Sequence, residues 1–274
     1  MAGGIDTGQL QDLGRILRDV RGNRSRAILA IRVAGSRLAK PKGRLAATLG
    51  GTVRVPFRSF EAEFKLSEGE IAPYAQMLHD LDSGVIPVGP DLERWTVVDC
   101  GANVGLFSLF MGRANRIIAI EPNPSTNKRL SRNFERNGLN GTVIEAAVSN
   151  LDGRVKMDFS AGPSVLAQIG SKGTDIRCLS LDTIFEEQDV AAVDLLKLDV
   201  EGHELEALKG CAKALGRQAI KQIVAEHNND SSLLTTLDCH LVKFGFQRTA
   251  TGSVNARYEL GAQGTKDPPT ATSA

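Results

Sequence analysis

From Trp95 to residue 226, short apolar runs alternate with amphipathic stretches, the pattern of parallel strands joined by helices that cover a sheet on both faces. The runs predict strands at 95–99, 116–121, 142–147, 193–199 and 220–226. After the first, Val104, Leu106, Phe107, Leu109, Phe110 and Met111 put apolar groups on nearly every side, which predicts a buried helix. The next helix is bounded by its own chemistry: Asn123 as N-cap, Pro124 in the first turn, and Asn137-Gly138 as the stop, with Leu130 and Phe134 facing the core. Residues 150–190 are an insertion holding a hairpin arm "GRVKMDF", a Gly/Ser-rich loop and "CLSLDTIF". Beyond residue 226, "NNDSS" caps a helix with Leu233, Leu237, Leu241 and Phe244, and "FQRTATGSVNARYEL" reads as two strands about a Thr-Gly turn. The expected class is α/β: a doubly wound, mostly parallel sheet closed by a C-terminal antiparallel hairpin.

The pattern ahead of Trp95 is different. Leu10, Leu13, Leu17 and Val20 recur at helical spacing, Ile28, Ile31 and Leu38 could line a second helix, residues 52–66 alternate like a strand pair, and "EIAPYAQMLHDL" reads as a helix with Pro73 in its first turn. This divides the chain into a basic helical extension (1–50), a strand pair and helix that could cover a substrate (51–94), the α/β core (95–260) and a tail (261–274) with no apolar periodicity, expected to be disordered.

Charge changes this picture in one place. Lys plus Arg number 33 against 32 Asp plus Glu, so the whole chain has no general nucleic-acid signature. Between residues 15 and 44, however, ten basic side chains accompany a single acid, Asp19. Such a segment could touch an anionic membrane surface or a phosphorylated partner; its plain alternative is the solvated faces of two small helices, the reading favoured here because the apolar faces are small. The four cysteines form no CxxC pair, so neither a zinc cluster nor a redox dithiol is indicated. No leader-like segment or spanning run appears, and a cytoplasmic location is expected.

The candidate chemistry starts at "VVDCGANVGLF". A loop leading from a first strand into a helix is where doubly wound sheets hold nucleotides, yet GxGxxG is absent and Asp99 stands at the strand end. A carboxylate there would be costly beside a pyrophosphate and attractive beside a sulfonium or ammonium, both of which S-adenosylmethionine carries. Gly101 and Gly105 would let the backbone approach its methionyl part, and the helix N-terminus would receive the methionyl carboxylate. Glu121, 22 residues after Asp99, suits a pair of ribose hydroxyls without choosing between cofactors. The plain alternative has Asp99 capping the helix and Glu121 as a surface acid.

With these residues in view, "VVDCGANVGLFSL", "IAIEPNPSTNKRLSRNFERNGL", "EAAVSNLDGRV", "LSLDTI", "VDLLKLDVEGHELEALKG" and "IVAEHN" resemble, in order, the blocks of the FkbM family of S-adenosylmethionine-dependent methyltransferases, over about residues 95 to 250. The resemblance implies a class I methyltransferase (Rossmann-like) fold and methyl transfer to a hydroxyl oxygen of a sugar, glycolipid or polyketide-type secondary metabolite. It also implies that Asp99, Gly101 and Asn103 lie in the methionyl loop, Glu121 and Asn123 at the ribose and adenosine, and Ala147 and Val148 beside the adenine.

Methyl transfer to oxygen benefits from alignment and from a base. Candidates gather in "KLDVEGHE": alternation puts Lys197, Asp199 and Glu201 on one side, with Asp199 as a contact to the reacting hydroxyl and Glu201 or His203 assisting. The alternative is that Lys197 merely neutralises Asp199 and Glu201. His227 is a further base, with Glu226 to orient it, and a structural histidine there is at least as reasonable. Asp199, Glu226 and Asn228 are oxygen ligands of the kind Mg²⁺ takes, but nothing resembles a metal loop. His79 and His240 read as structural. The rivals are an NAD(P)-dependent oxidoreductase and a methyltransferase-like scaffold that binds without transferring.

Overall fold

The computed structural model describes residues 7–23, 25–26, 29–30, 52–57, 59–65, 72–87, 93–113, 115–159 and 173–261. The expected second helix past Ile31, most of the basic run, the Gly/Ser-rich loop at 160–172 and the tail from residue 262 lie outside these.

Seven strands make the main sheet: β3 (Thr96–Cys100), β4 (Arg116–Ile120), β5 (Gly141–Ile144), β9 (Val193–Leu198), β10 (Ile220–Glu226), β11 (Phe246–Thr251) and β12 (Asn255–Leu260). Their order is β5-β4-β3-β9-β10-β12-β11, and β12 alone runs against the rest. The chain builds outward from β3 to β5, then returns to lay β9 and β10 on the other side. This makes the crevice between the carboxyl ends of β3 and β9 the topological switch point, where such sheets bind ligands. The reversed strand wedged next to the edge completes the class I methyltransferase arrangement.

Three predicted strands end early, the second of them at Ile120, which leaves Glu121 just beyond β4. The third stops at Ile144 because its carbonyl is taken by the backbone N–H of Glu121 and by Nδ2 of Asn127. Ala147–Val148 then leaves as β6, to pair with β8 (Thr174–Leu179), which is also paired by β7 (Gly153–Met157). This small sheet is the insertion expected from "GRVKMDF" and "CLSLDTIF", followed by α5 (Leu181–Glu187). The fourth stops at Leu198, so Asp199 is the first residue beyond β9, and Glu201, with φ of 55°, sits in a turn outside the strand alternation.

Helix α3 (Leu106–Met111) is buried as its composition requires, and α4 (Pro124–Asn137) starts and stops at the predicted caps: Asn123 accepts from the Ser125 N–H, and Gly138 is left-handed. With α6 (Glu204–Lys209), α7 (Ala212–Gly216) and α8 (Ser231–Leu241) they cover the sheet. One face packs Val98, Ile118, Leu196 and Ile223 against Leu181, Leu208 and Leu237. The other packs Val97, Ala119, Leu195 and Val224 in one cluster with Leu106, Leu130 and the N-terminal elements.

Those elements are α1 (Thr7–Asp19), the antiparallel pair β1 (Thr52–Pro56) and β2 (Glu61–Lys65), and α2 (Ala72–Asp82). Ile16 and Val20 of the α1 segment are buried in the shared cluster, so its apolar stripe is used inside the protein. The strand β2 is held to α4 by two asparagines a helical turn apart. Asn133 accepts from the Glu63 N–H and donates to the Glu63 and Val104 carbonyls; Asn137 accepts from the Glu61 N–H and donates to its carbonyl. Two side-chain amides thus stand in for a neighbouring strand, satisfying backbone groups that burial would otherwise strand.

Candidate functional site

Strand alternation sends residues 97, 195 and 224 to one face as apolar core, and the same alternation puts Asp99, Lys197 and Glu226 on that face at the carboxyl ends of β3, β9 and β10. The register pairs Asp99 with Lys197 directly. Nζ of Lys197 lies 2.7 Å from Oδ2 of Asp199, 3.7 Å from Oδ1 of Asp99 and 5.6 Å from the centre of the Phe107 ring. Burial pulls the lysine pKa down, but the Asp199 and Asp99 carboxylates overcome this and hold it above its ordinary value.

Asp99, expected to face the ligand at the strand end, is turned into the protein. It is fully enclosed, with Oδ2 accepting from the Ser108 hydroxyl at 2.7 Å and Lys197 beside Oδ1. Burial raises its pKa against the pull of Lys197 and Ser108. Its nearest cation therefore comes from within the protein, and Lys197 links it to Asp199, whose side chain is 27% exposed.

The glycine turn is also shaped from inside. Gly101 has φ of +72°, and a Cβ there would stand 1.8 Å from the Asp199 carbonyl oxygen; at Gly105, φ +85°, it would stand 2.5 Å from Cδ1 of Leu130. Both glycines are required by contacts with the protein itself, where close approach of a ligand was expected. The turn is pinned by the Gly101 and Ala102 N–H groups on the Ile120 carbonyl.

Glu121 joins this turn to the next. Its two oxygens accept from the Asn103 N–H at 3.0 Å and the Asn123 N–H at 2.8 Å. Burial pushes its pKa to about 7 against those two bonds, with Asp199 and Asp99 adding to the rise. Asn103, in the left-handed region at φ 52°, is half-buried. At the far side of β4, Ala147 is half-buried and Val148 packs into the second core.

The remaining candidates separate. Glu201 is exposed, and loss of hydration beside Asp199 and Glu204 pushes its pKa to about 7. No ion pair joins it to Lys197 among the described residues, so the lysine neutralises Asp199 and Asp99 in place of the expected Asp199 and Glu201. Nε2 of His203 lies 3.3 Å from Oγ of Ser149. His227 is buried with both ring nitrogens lacking a partner among the described residues, so Glu226 does not orient it. Burial, then Asp199 and Glu201, push Glu226 up to about 9. His79 bonds Asp12 and Arg15, and His240 packs near Phe244. Among the described residues no group of three or more His, Cys, Asp or Glu side chains is placed to hold a metal ion, and no helix is long and apolar enough to cross a membrane.

Three positioning roles escaped sequence reasoning. Ser108 holds Asp99. Glu204, fully buried, accepts from the Val200 and Gly202 N–H groups and so fixes the turn that carries Asp199 and Glu201. Asp80 of α2 is buried and accepts from Nδ2 of Asn255 at 2.7 Å. Its signal was an acid on the buried stripe with Tyr74 and Met77.

Acids in excess at a class I switch point agree with what comparison finds: the profile of the Methyltransferase FkbM domain matches residues 99–247, over half of the chain. The chain belongs to the FkbM methyltransferase family. It is 35% identical over 136 residues to the hexuronic acid methyltransferase AglP of Haloferax volcanii, covering 47% of this chain and 54% of that protein. It is 29% identical over 175 residues to the 31-O-demethyl-FK506 methyltransferase FkbM of Streptomyces tacrolimicus, covering 50% and 67%, and 28% identical over 210 residues to methyltransferase sdnD of Sordaria araneosa, covering 62% and 79%. The chain thus spans about half the length of AglP. A solved structure of Aeropyrum pernix fibrillarin is a distant likeness, with a TM-score of 0.43 and 12% identity over 67% of this chain and 73% of that one.

Proposed function

We propose that this FkbM-family chain is an S-adenosylmethionine-dependent O-methyltransferase acting on a hydroxyl of a sugar, glycolipid or polyketide-type metabolite. The observation that carries the reading is the balance of charge at the switch point, where Asp99, Asp199, Glu121 and Glu201 crowd together and, among the described residues, Lys197 is the one ammonium paired with them. A pyrophosphate would meet uncompensated carboxylates there, whereas a ligand bearing a sulfonium and an ammonium relieves them. This disfavours a nicotinamide cofactor.

The residues present fit such a ligand. Glu121 is held rigid by two backbone amides and keeps lone pairs for ribose hydroxyls. Asn103 and Asn123 flank it, and Ala147 and Val148 border the adenine side. Asp199 is the part-exposed carboxylate for the cationic end, with Asp99 acting on it through Lys197. When bound, S-adenosylmethionine supplies a methyl group made electrophilic by its sulfonium. Among the candidate bases Glu201 is best placed: it is accessible, and a pKa of about 7 suits a group that must take a hydroxyl proton near neutral pH. His203, occupied by Ser149, and the enclosed His227 are less available.

Calorimetry with S-adenosylmethionine, S-adenosylhomocysteine and NADH tests the reading. The first two should bind, and Glu121→Ala should abolish that binding while Glu201→Gln preserves it. Binding of NADH alone would overturn the proposal. Mass spectrometry of extracts incubated with the active protein should then find a compound heavier by one methyl substitution.

A further inference from the structure

Glu226 and Asn255 lie directly opposite each other in the antiparallel register of β10 and β12. Opposed residues share one face of a sheet with Cβ atoms about 4.5–5.5 Å apart, and here that face carries Lys197 and Asp99. Both side chains are enclosed, with residue exposures of 9% and 5%. Each nevertheless keeps an oxygen with no hydrogen-bond partner among the described residues, Oε2 of Glu226 and Oδ1 of Asn255. Buried polar atoms are normally paired, and two unmet ones side by side next to a ligand crevice call for an occupant.

The orientation of Asn255 is fixed. Its Nδ2 donates to Oδ2 of Asp80, and Oδ1 of Asp80 accepts from Nε2 of Gln76 at 3.0 Å. Turning the amide over would set its oxygen against a carboxylate, so Oδ1 is held as the unpaired acceptor. At the hairpin, Gly252 leaves room for this arrangement, since a Cβ there would stand 3.0 Å from Oδ1 of Asp80.

We propose that Glu226 and Asn255 form the acceptor-binding wall of the methyltransferase site, that the wall takes a neutral polyhydroxylated acceptor of the sugar type, and that Asp80 is the positioning residue behind it. This rests on the methyltransferase reading above and narrows its acceptor. A hydroxyl both donates and accepts. Asn255 Oδ1 supplies the acceptor, and Glu226, with a pKa of about 9, supplies an O–H donor at neutral pH. One aliphatic hydroxyl can donate to Asn255 Oδ1 and accept from Glu226 but leaves the second oxygen of the Glu226 carboxyl without a donor, which a further hydroxyl of a polyol supplies. A hexuronate would bring a carboxylate toward Asp199 and Glu201, with Lys197 already engaged.

The test uses the full chain. Calorimetry measures S-adenosylhomocysteine affinity, and saturation-transfer NMR measures binding of three probes: neutral methyl hexopyranosides (gluco, galacto and manno), the corresponding methyl hexuronates, and 1-hexanol. At least one neutral hexopyranoside should bind, with the uronates and hexanol weaker by at least about tenfold, as a site built to pair hydroxyls discriminates. Asn255→Ala and Glu226→Ala should each weaken the hexopyranoside by about tenfold or more, while Glu226→Gln, which keeps a donor, stays within about threefold. Asp80→Asn should weaken it with the probe order unchanged. Thermal melting and unaltered S-adenosylhomocysteine affinity show that each variant is folded. Equal binding of all three probe classes, no hexopyranoside binding, or wall variants that bind like the wild type, with S-adenosylhomocysteine affinity intact, overturns the wall alone. Failure of the wild-type chain to bind S-adenosylhomocysteine overturns the methyltransferase reading and the wall with it.

Discussion

Replacing Gly101 by alanine asks whether the glycine turn is shaped for a ligand or for the chain itself. The new Cβ would stand 1.8 Å from the carbonyl oxygen of Asp199 and 2.8 Å from its carbonyl carbon, both backbone atoms that no rotamer change can remove. A left-handed φ costs a non-glycine residue about 1–2 kcal/mol, and forcing atoms into a packed site costs about 1–3 kcal/mol more. The expected loss is therefore about 2–5 kcal/mol, or roughly 6–12 °C in Tm for a loss near the middle of that range in a domain of this size. Gly105→Ala should lose less, because the atom met at 2.5 Å is the tip of the Leu130 side chain. Gly14→Ala is the control: it lies in α1 with nothing within 4 Å of the added Cβ, and should stabilise by about 0.5–1 kcal/mol. Differential scanning calorimetry of the three variants decides the matter. If Gly101→Ala melts within about 2 °C of the wild type and loses only S-adenosylhomocysteine binding, the turn is kept for a ligand and the packing argument is wrong.

Lys197→Met leaves the enclosed Asp99 carboxylate without its cation and should cost about 3–5 kcal/mol; adding Asp99→Asn should recover part of this in urea melts, and simple additivity of the two single changes would count against the pairing. Asn133→Ala removes two hydrogen bonds that hold β2 to α4, one to the Val104 carbonyl and one from Arg136, a loss of about 2–4 kcal/mol, and hydrogen exchange at the Glu63 amide should accelerate; unchanged protection there would show the strand is held otherwise. Methyl transfer should rise with pH through about 7, because Glu201 must lose its proton to act as a base, and Glu201→Gln should flatten that limb and lower kcat by about 10²–10⁴. A profile of unchanged shape in the variant would assign the base elsewhere.

Much of the core was legible because its signals are local. Continuous apolar runs located β3, β4, β9 and β10, and Asn123, Pro124 and Gly138 bounded α4 because capping is decided within one turn. The acids Asp99, Glu121 and Asp199 were found because strand ends at a switch point follow from the alternation of elements. What sequence could not supply was partnership across long separations. Asn133 and Asn137 look like ordinary polar residues on a helix until β2, some seventy positions earlier, is laid beside them. Asp80 and Asn255, 175 positions apart, meet only after the N-terminal layer has folded over the hairpin. Gly101 and Gly105 have a second reason that sequence could not show: a turn glycine signals close approach, and only the packed chain reveals that the Asp199 carbonyl and Leu130 approach them.

The charged row at the strand ends explains why Asp99 can be both central and inaccessible. A lone carboxylate enclosed to this degree would take up a proton or unfold its surroundings. Lys197 opposes this, since the parallel register sets it beside Asp99 while Oδ2 of Asp199 draws its ammonium toward the crevice. One positive charge is thereby shared between a buried acid and a part-exposed one, and neither is fully neutralised. Burial, with neighbouring carboxylates adding to it, also raises the pKa values of Glu121, Glu201 and Glu226, and an incoming cation would relieve the acids that remain ionised. The proposed preference for a cationic methyl donor thus draws on the whole row, with Asp199 and its neighbours presenting the field and Asp99 setting where Lys197 sits.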